Sequence, residues 1–136
     1  MEWTGGCLCG DIRFQAGEDP EWMGHCHCSL CRSQTDTAFT TGVIFAEETF
    51  RWMKGEPEYF RDPLGTPRSF CSRCGTSMTW EPPKGGICVF AGTLDHAQDI
   101  LPTCHVYTST MLPWLKLDDG LPQFPGTDAD SPVNRE

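Results

Sequence analysis

The sequence predicts a mostly β domain built from short strands, and three observations carry that prediction. Fourteen glycines and eleven prolines in 136 residues leave little room for long helices. Runs rich in β-branched and aromatic residues recur at short intervals, each bounded by turn residues. Seven of the nine cysteines fall into three tight clusters, Cys7/Cys9, Cys26/Cys28/Cys31 and Cys71/Cys74, which suits a small fold held together by metal. The length fits one domain, which we place at residues 1–125, with a polar, frayed tail at 126–136.

Along the chain, residues 3–15 alternate Ile12 and Phe14 with polar neighbours. They predict two short strands broken at Gly10-Asp11, with Cys7 and Cys9 pointing the same way. Residues 17–20 are turn material, and residues 38–45 (Ala-Phe-Thr-Thr-Gly-Val-Ile-Phe) form a core strand. Glu47-Glu48 marks a turn. The runs 50–53 and 58–61 flank Gly55-Glu56-Pro57 and are expected to pair with one another, and 62–67 is a loop. Cys71-Ser72-Arg73-Cys74-Gly75 fits a tight turn whose backbone N–H groups point at the sulfurs, with Gly75 at positive φ. Strands are expected at 78–80 and 87–93 and one helical turn at 95–100. The apolar residues Trp114, Leu115, Leu121 and Phe124 are expected to pack on the sheet.

Residues 24–32 read Gly-His-Cys-His-Cys-Ser-Leu-Cys-Arg. With Cys26 and Cys28 on a strand, their side chains share a face while His25 and His27 take the other, and a turn after Cys28 brings Cys31 round to the same ion. Thiolates this close repel one another unless a cation neutralises them, and zinc is the divalent metal that takes thiolate without redox change. The cysteine count is odd and the N-terminus has no basic region followed by an apolar run, so a reducing cytosol with the cysteines on metal is expected rather than a secreted disulfide framework. No apolar stretch approaches the roughly 20 residues of a membrane span. A net charge of −9 argues against a nucleic-acid partner. The reading is a cytoplasmic protein without membrane or nucleic-acid partners.

A tetrahedral zinc needs four ligands. Joining Cys7/Cys9 to Cys71/Cys74 makes a closed, all-thiolate structural site and leaves Cys26, Cys28 and Cys31 holding a second zinc with one position open. Other partitions stand beside it. Cys26/Cys28 can pair with Cys71/Cys74, or both zincs can be structural with His25, His27 or His105 as a fourth ligand. Iron–sulfur ligation is also possible, but its usual spacings differ. Cys88 and Cys104 lie outside the clusters and read as ordinary buried thiols. Phe39, Phe45, Trp80, Phe90 and Trp114 read as core or pocket lining.

Gly5-Gly6-Cys7-x-Cys9-Gly10-x-Ile12-Arg13-Phe14, Cys26-His27-Cys28-x-x-Cys31-Arg32 and Phe70-Cys71-x-x-Cys74-Gly75-Thr76 together resemble the glutathione-dependent formaldehyde-activating enzymes, a family that includes centromere-protein-V-like proteins. The likeness extends over about residues 3–124. It implies an Mss4-like β-tent of short antiparallel strands stabilised by two zinc ions. It also implies Cys7, Cys9, Cys71 and Cys74 at a structural zinc, with Cys26, Cys28 and Cys31 at a catalytic one. The implied reaction is that of a carbon–sulfur lyase condensing a small-molecule thiol such as glutathione with formaldehyde to S-(hydroxymethyl)glutathione. An alkoxide forms in that addition, and His27 and His105 are the candidate catalytic proton donors, with His25 nearby. Arg32 is a candidate to offset the charge of a three-thiolate zinc, and Arg32, Arg68 or Arg73 to grip carboxylates. The competing reading is a non-catalytic two-zinc binding or scaffold module.

Overall fold

The computed structural model describes residues 2–127 and 131–134. Ten short strands form two sheets. The smaller holds β1 (Trp3–Gly6), β2 (Arg13–Ala16) and β5 (Arg51–Lys54) in the order β1-β2-β5. The larger takes in β3 (Trp22–Cys26), β4 (Thr40–Phe45), β6 (Glu58–Arg61), β7 (Pro67–Phe70), β8 (Ser77–Trp80), β9 (Ile87–Phe90) and β10 (His105–Val106). Its order is β10-β3-β4-β9-β8-β7-β6. All pairings are antiparallel except β10 on β3, which is parallel.

The strand β4 explains where the core sits. Its register on β9 puts Val43 opposite Val89 and Ile44 opposite Cys88. Side chains alternate along a strand, so Val43, Phe45 and Val89 pack with Phe14, Met78, Cys7 and Cys71, while Ile44, Cys88 and Phe90 pack with Trp80, Cys26, Cys28 and Cys31. Both faces are covered, which is why 38–45 reads as a nearly continuous apolar run. Gly42 belongs to this arrangement: a Cβ there would lie 2.6 Å from Cys88 Sγ.

The expected N-terminal hairpin is present, as are strands at 40–45 and 77–80, and the turn expected within 95–100 is a 3-10 turn at Ala97–Asp99. The strand expected over 87–93 stops at Phe90, and Ala91–Thr93 is a 3-10 turn. Four further expectations are corrected. The runs 50–53 and 58–61 do not pair with each other. Phe50 and Trp52 close on Phe14 at centroid distances of 5.2 and 6.0 Å, which draws β5 to β2, and β6 instead takes the far edge of the larger sheet beside β7. The turn after Cys28 is a helix, α1 (Ser29–Thr35), begun by Cys28 Sγ accepting the Cys31 N–H at 3.3 Å and stopped by Asp36 at φ 53°. Trp114 is 67% exposed and does not pack, although the Phe124 N–H donates to the His105 carbonyl at 2.9 Å and adds that part of the tail to the sheet. Residues 131–134 do not fray: Val133 is buried in the second cluster and its carbonyl accepts the Tyr107 hydroxyl at 2.7 Å. The Gly126 carbonyl accepts the Tyr107 N–H at 2.9 Å, and residues 128–130 and 135–136 of the expected frayed segment lie outside the described residues.

Phe14, 1% exposed, meets Phe50 and Trp52 on the smaller-sheet side and shares a core cluster with Val43, Phe45 and Met78 of the larger sheet. Phe14→Ala is expected to cost about 3–5 kcal/mol in urea unfolding. Leu64→Ala, on a loop and 65% exposed, should stay within about 0.5 kcal/mol.

Candidate metal centres

The first centre joins the β1–β2 turn to the turn between β7 and β8. The ligand atoms of Cys7, Cys9, Cys71 and Cys74 all lie within 4.8 Å of one another. Cys7 and Cys9 sulfurs are 3.6 Å apart, and Cys9 and Cys71 sulfurs 3.8 Å. A tetrahedral zinc with sulfur at about 2.3 Å would set its sulfurs about 3.8 Å apart, so this donor set fits that ion. In the second turn the Thr76 N–H favours the Cys74 thiolate and Gly75 turns the chain at φ +80°, as its motif predicts; in the first, the Ile12 N–H donates to Cys7 Sγ at 3.3 Å. Thr76 Oγ1 accepts the Leu8 N–H at 3.1 Å, which leaves its hydroxyl proton for Cys74 Sγ at 3.1 Å. That hydroxyl, followed by backbone N–H donation, lowers Cys74 to about 5. Cys9 behaves oppositely. The Asp11 N–H favours its thiolate, yet desolvation and the neighbouring thiols push it up to about 12. Four thiols this close do not all ionise without a cation among them.

The second centre is built from the end of β3 and the start of α1. Cys26, Cys28 and Cys31 are all buried, with ligand atoms within 4.8 Å of one another. Among the described residues no further Cys, His, Asp or Glu completes that group. The two neighbouring thiols, then burial, push Cys26 well above its ordinary value. The charge that meets this cluster comes from Arg68, which is 1% exposed, with Nη1 and Nη2 at 3.6 and 3.7 Å from Cys31 Sγ. Asp62 and Gln34 hold the guanidinium at 2.8 Å each, and it lies 5.8 Å over the Trp80 ring. The role expected of Arg32 therefore falls to Arg68, and Arg32 Nε is buried without a hydrogen-bond partner. Neither Arg68 nor Arg73 is placed to grip a ligand carboxylate: Arg68 is inside, and Arg73 pairs with Asp11 at 2.9 Å beside the first centre.

His25 and His27 project from the face opposite Cys26, as strand alternation predicts, and β10 brings His105 to them. His27 Nε2 lies 2.8 Å from His105 Nδ1, and His105 Nε2 lies 2.7 Å from Asp119 Oδ2. The Leu121 N–H and then His105 hold the Asp119 carboxyl below its usual range. With His105 as a neutral ring donating its Nε2–H to Asp119, its Nδ1 accepts from His27 Nε2–H. The chain ends at His27 Nδ1, which is buried without a partner. Burial, then His105 and His25, lowers His27 to about 4, so its ring is neutral. His27 and His105 are both fully buried, and Asp119 is the member of the chain that reaches solvent. Ligand atoms of His25, His105 and Asp119 also lie within 4.8 Å of one another. The 2.7 Å His105–Asp119 separation is nonetheless a hydrogen bond, shorter than the roughly 3.3 Å between two tetrahedral zinc ligands. Sequence reasoning missed Asp119, whose only local signal is that of a turn, Asp-Asp-Gly.

A cleft of about 480 Å³ opens where β4 begins and β9 ends, lined by His25, Phe39, Thr41, Phe90, Ala91 and Ile100 among others. None of the three cysteines is on its wall. It meets them through Thr40, the cross-strand partner of Cys26, and Thr35, whose hydroxyl donates to the Cys31 carbonyl at 2.8 Å.

A small β fold with one four-cysteine and one three-cysteine cluster defines a class of cysteine-rich β proteins able to hold two metal ions. The sequence profile described as glutathione-dependent formaldehyde-activating enzyme matches residues 2–110, and the chain belongs to that family. The crystal structure of a Rhodobacter sphaeroides protein, a structural-genomics target, superposes with a TM-score of 0.60 at 16% identity, covering 73% of this chain and 97% of that one. The fold is thus the small Mss4-like β fold that the resemblance implies. No curated protein matches. Among the described residues no helix is long and apolar enough to cross a membrane.

The Asp62–Arg68 pair yields a pH prediction. Burial alone would raise Asp62, but Arg68 and the amides of Thr66 and Leu64 outweigh it and hold the carboxyl low. With the folded value below the unfolded one of about 3.9, its contribution is full above that pH and fades as pH falls through the folded value. Urea midpoints should therefore drop more steeply below about pH 4 in the wild type than in Asp62→Asn. At neutral pH, Arg68→Met is expected to cost about 3–5 kcal/mol, because it strands Asp62 inside.

Proposed function

We propose that the protein is a zinc-dependent carbon–sulfur lyase that makes and breaks thiol–aldehyde adducts, the reaction type of S-(hydroxymethyl)glutathione synthase. It would work in the reducing cytosol on a small-molecule thiol. Family membership supports the reaction class. The observation that carries the reading is the ligand count of the second centre: three thiols, with no fourth side-chain ligand among the described residues. Cys7, Cys9, Cys71 and Cys74 would hold a structural zinc, and Cys26, Cys28 and Cys31 a second one. A zinc ion there would supply an open position that lowers the pKa of a substrate thiol.

In the condensing direction the thiol sulfur bonds to the aldehyde carbon, the C=O π pair moves to oxygen, and the proton lost by the thiol ends on that oxygen. His27 and His105 are the groups proposed to hold and pass that proton, on the strength of their 2.8 Å contact and the Asp119 anchor that orients both rings. Arg68 takes no proton. It positions the Cys31 sulfur and offsets charge there.

Zinc K-edge absorption with and without added thiol tests the open site. Two zincs per chain, with sulfur coordination rising on thiol addition, are expected. An unchanged, fully protein-ligated spectrum would overturn the enzyme reading in favour of the scaffold one. A second check separates the centres. Cys71→Ser should lose the structural zinc and unfold, since such ions supply about 10–16 kcal/mol of folding free energy. Cys28→Ser should lose one zinc and keep a folded domain by circular dichroism. Equal unfolding of both would sink the division into structural and reactive centres.

A further inference from the structure

The cleft beside the second centre has a lining that restricts what it can bind. Its volume of about 480 Å³ falls within the range of small-molecule sites. Among the described residues its walls contain no Lys, Arg, Asp or Glu. Phe39 stands edge-on to His25 at 5.2 Å and stacks on His27 at 5.2 Å, giving one wall an aromatic surface. Phe90, Ala91, Ile100 and Pro102 supply more apolar surface, and the polar groups are threonine hydroxyls and the His25 ring.

Three arginines are engaged away from the cleft: Arg13 is held by Asp95, Arg68 by Asp62 inside the protein, and Arg73 by Asp11 at the first centre. Arg32, next to Cys31, does not line the cleft. The chain carries a net charge of −9, which disfavours the long-range approach of an anion. Glutathione brings carboxylates, an ammonium and a net negative charge, and a charge moved out of water into an uncharged cleft must find a partner there.

We infer that this cleft takes the uncharged, apolar arm of a thiol–aldehyde adduct, an aliphatic or aromatic substituent, rather than the charged peptide arms of glutathione. The inference rests on the lyase reading for its reaction, while the ligand class follows from the cleft lining. Gly92 offers a way to change that lining, because it is exposed and a Cβ there would meet nothing within 4 Å.

The test uses two unreactive thioethers, benzylthioethanol and S-methylglutathione, titrated into the zinc-loaded protein and followed by amide nitrogen–proton NMR. Benzylthioethanol is expected to shift the amides of Thr41, Ala91 and Ile100 and to bind at least about tenfold tighter. Gly92→Lys is expected to narrow that ratio by strengthening S-methylglutathione. Equal or tighter binding of S-methylglutathione at those amides overturns the inference, as does benzylthioethanol shifting other amides or none. Turnover of the formaldehyde adducts of the parent thiols, benzyl mercaptan and glutathione, separates this from the broader reading. Tight benzylthioethanol binding with neither adduct turned over leaves the cleft assignment standing and removes the lyase. Turnover of the glutathione adduct with the thioether preference reversed does the opposite.

Discussion

The convergence of Cys7, Cys9, Cys71 and Cys74 is the constraint on which the rest of the structure depends. It closes a contact between Cys9 and Cys71 across 62 residues, and closing so long a loop costs chain entropy that a few sulfur contacts do not return. Left as thiols the group also opposes its own ionisation, with Cys9 pushed to about 12 while Cys74 falls to about 5. A divalent cation removes that conflict, because each sulfur then faces opposite charge rather than like charge. The small sheet is short-stranded and shares its core with the large one through Phe14, so the cysteine turns and that core act on the same junction.

With the sheets so joined, β4 separates the two centres. Val43 and Phe45 belong to the cluster that contains Cys7 and Cys71, whereas Ile44 belongs to the cluster that contains Cys26, Cys28 and Cys31. One face supports a closed centre and the other a three-thiol one. The strand that carries Cys26 also turns His25 and His27 to the opposite side, where β10 delivers His105. β3 and the residue after it thus supply sulfur to one face and imidazole to the other, so the histidines stay out of the three-cysteine group.

What was legible in the sequence follows from the range of the interactions. The cysteine groups are local in their signal: a Cys-x-x-Cys followed by Gly75 states its own turn, and the Cys26/Cys28 spacing states its own face. Strand positions with both faces buried were equally plain. The pairing of strands was not, because it depends on which distant ring meets which. Nothing within 50–61 announces that Phe50 and Trp52 will close on Phe14 rather than on their neighbours. The helix α1 hid because its cap is a cysteine sulfur, a weaker acceptor than the hydroxyl or carboxylate of the usual cap residues. The inward role of Arg68 and the part of Asp119 escaped for a different reason. In the sequence Arg68 is a candidate to grip a ligand carboxylate, and its burial depends on Asp62, Gln34 and Trp80, each from a different segment. The part played by Asp119 depends wholly on where β10 carries His105.

Charge at the second centre connects these placements to chemistry. Three thiolates against one divalent ion would leave one negative charge in a buried setting. Arg68 offsets it, and Asp62 and Gln34 keep that guanidinium on the sulfur side rather than at the surface. Arg68 is not free to receive an anion approaching this centre, since its guanidinium is already held by Asp62 and Gln34 and lies over the Trp80 ring. The adjoining cleft repeats the pattern, with threonines and aromatic rings where a peptide thiol would need arginine or lysine. Neutralisation from within, joined to an uncharged approach, favours a ligand that brings no charge except at the sulfur that reacts.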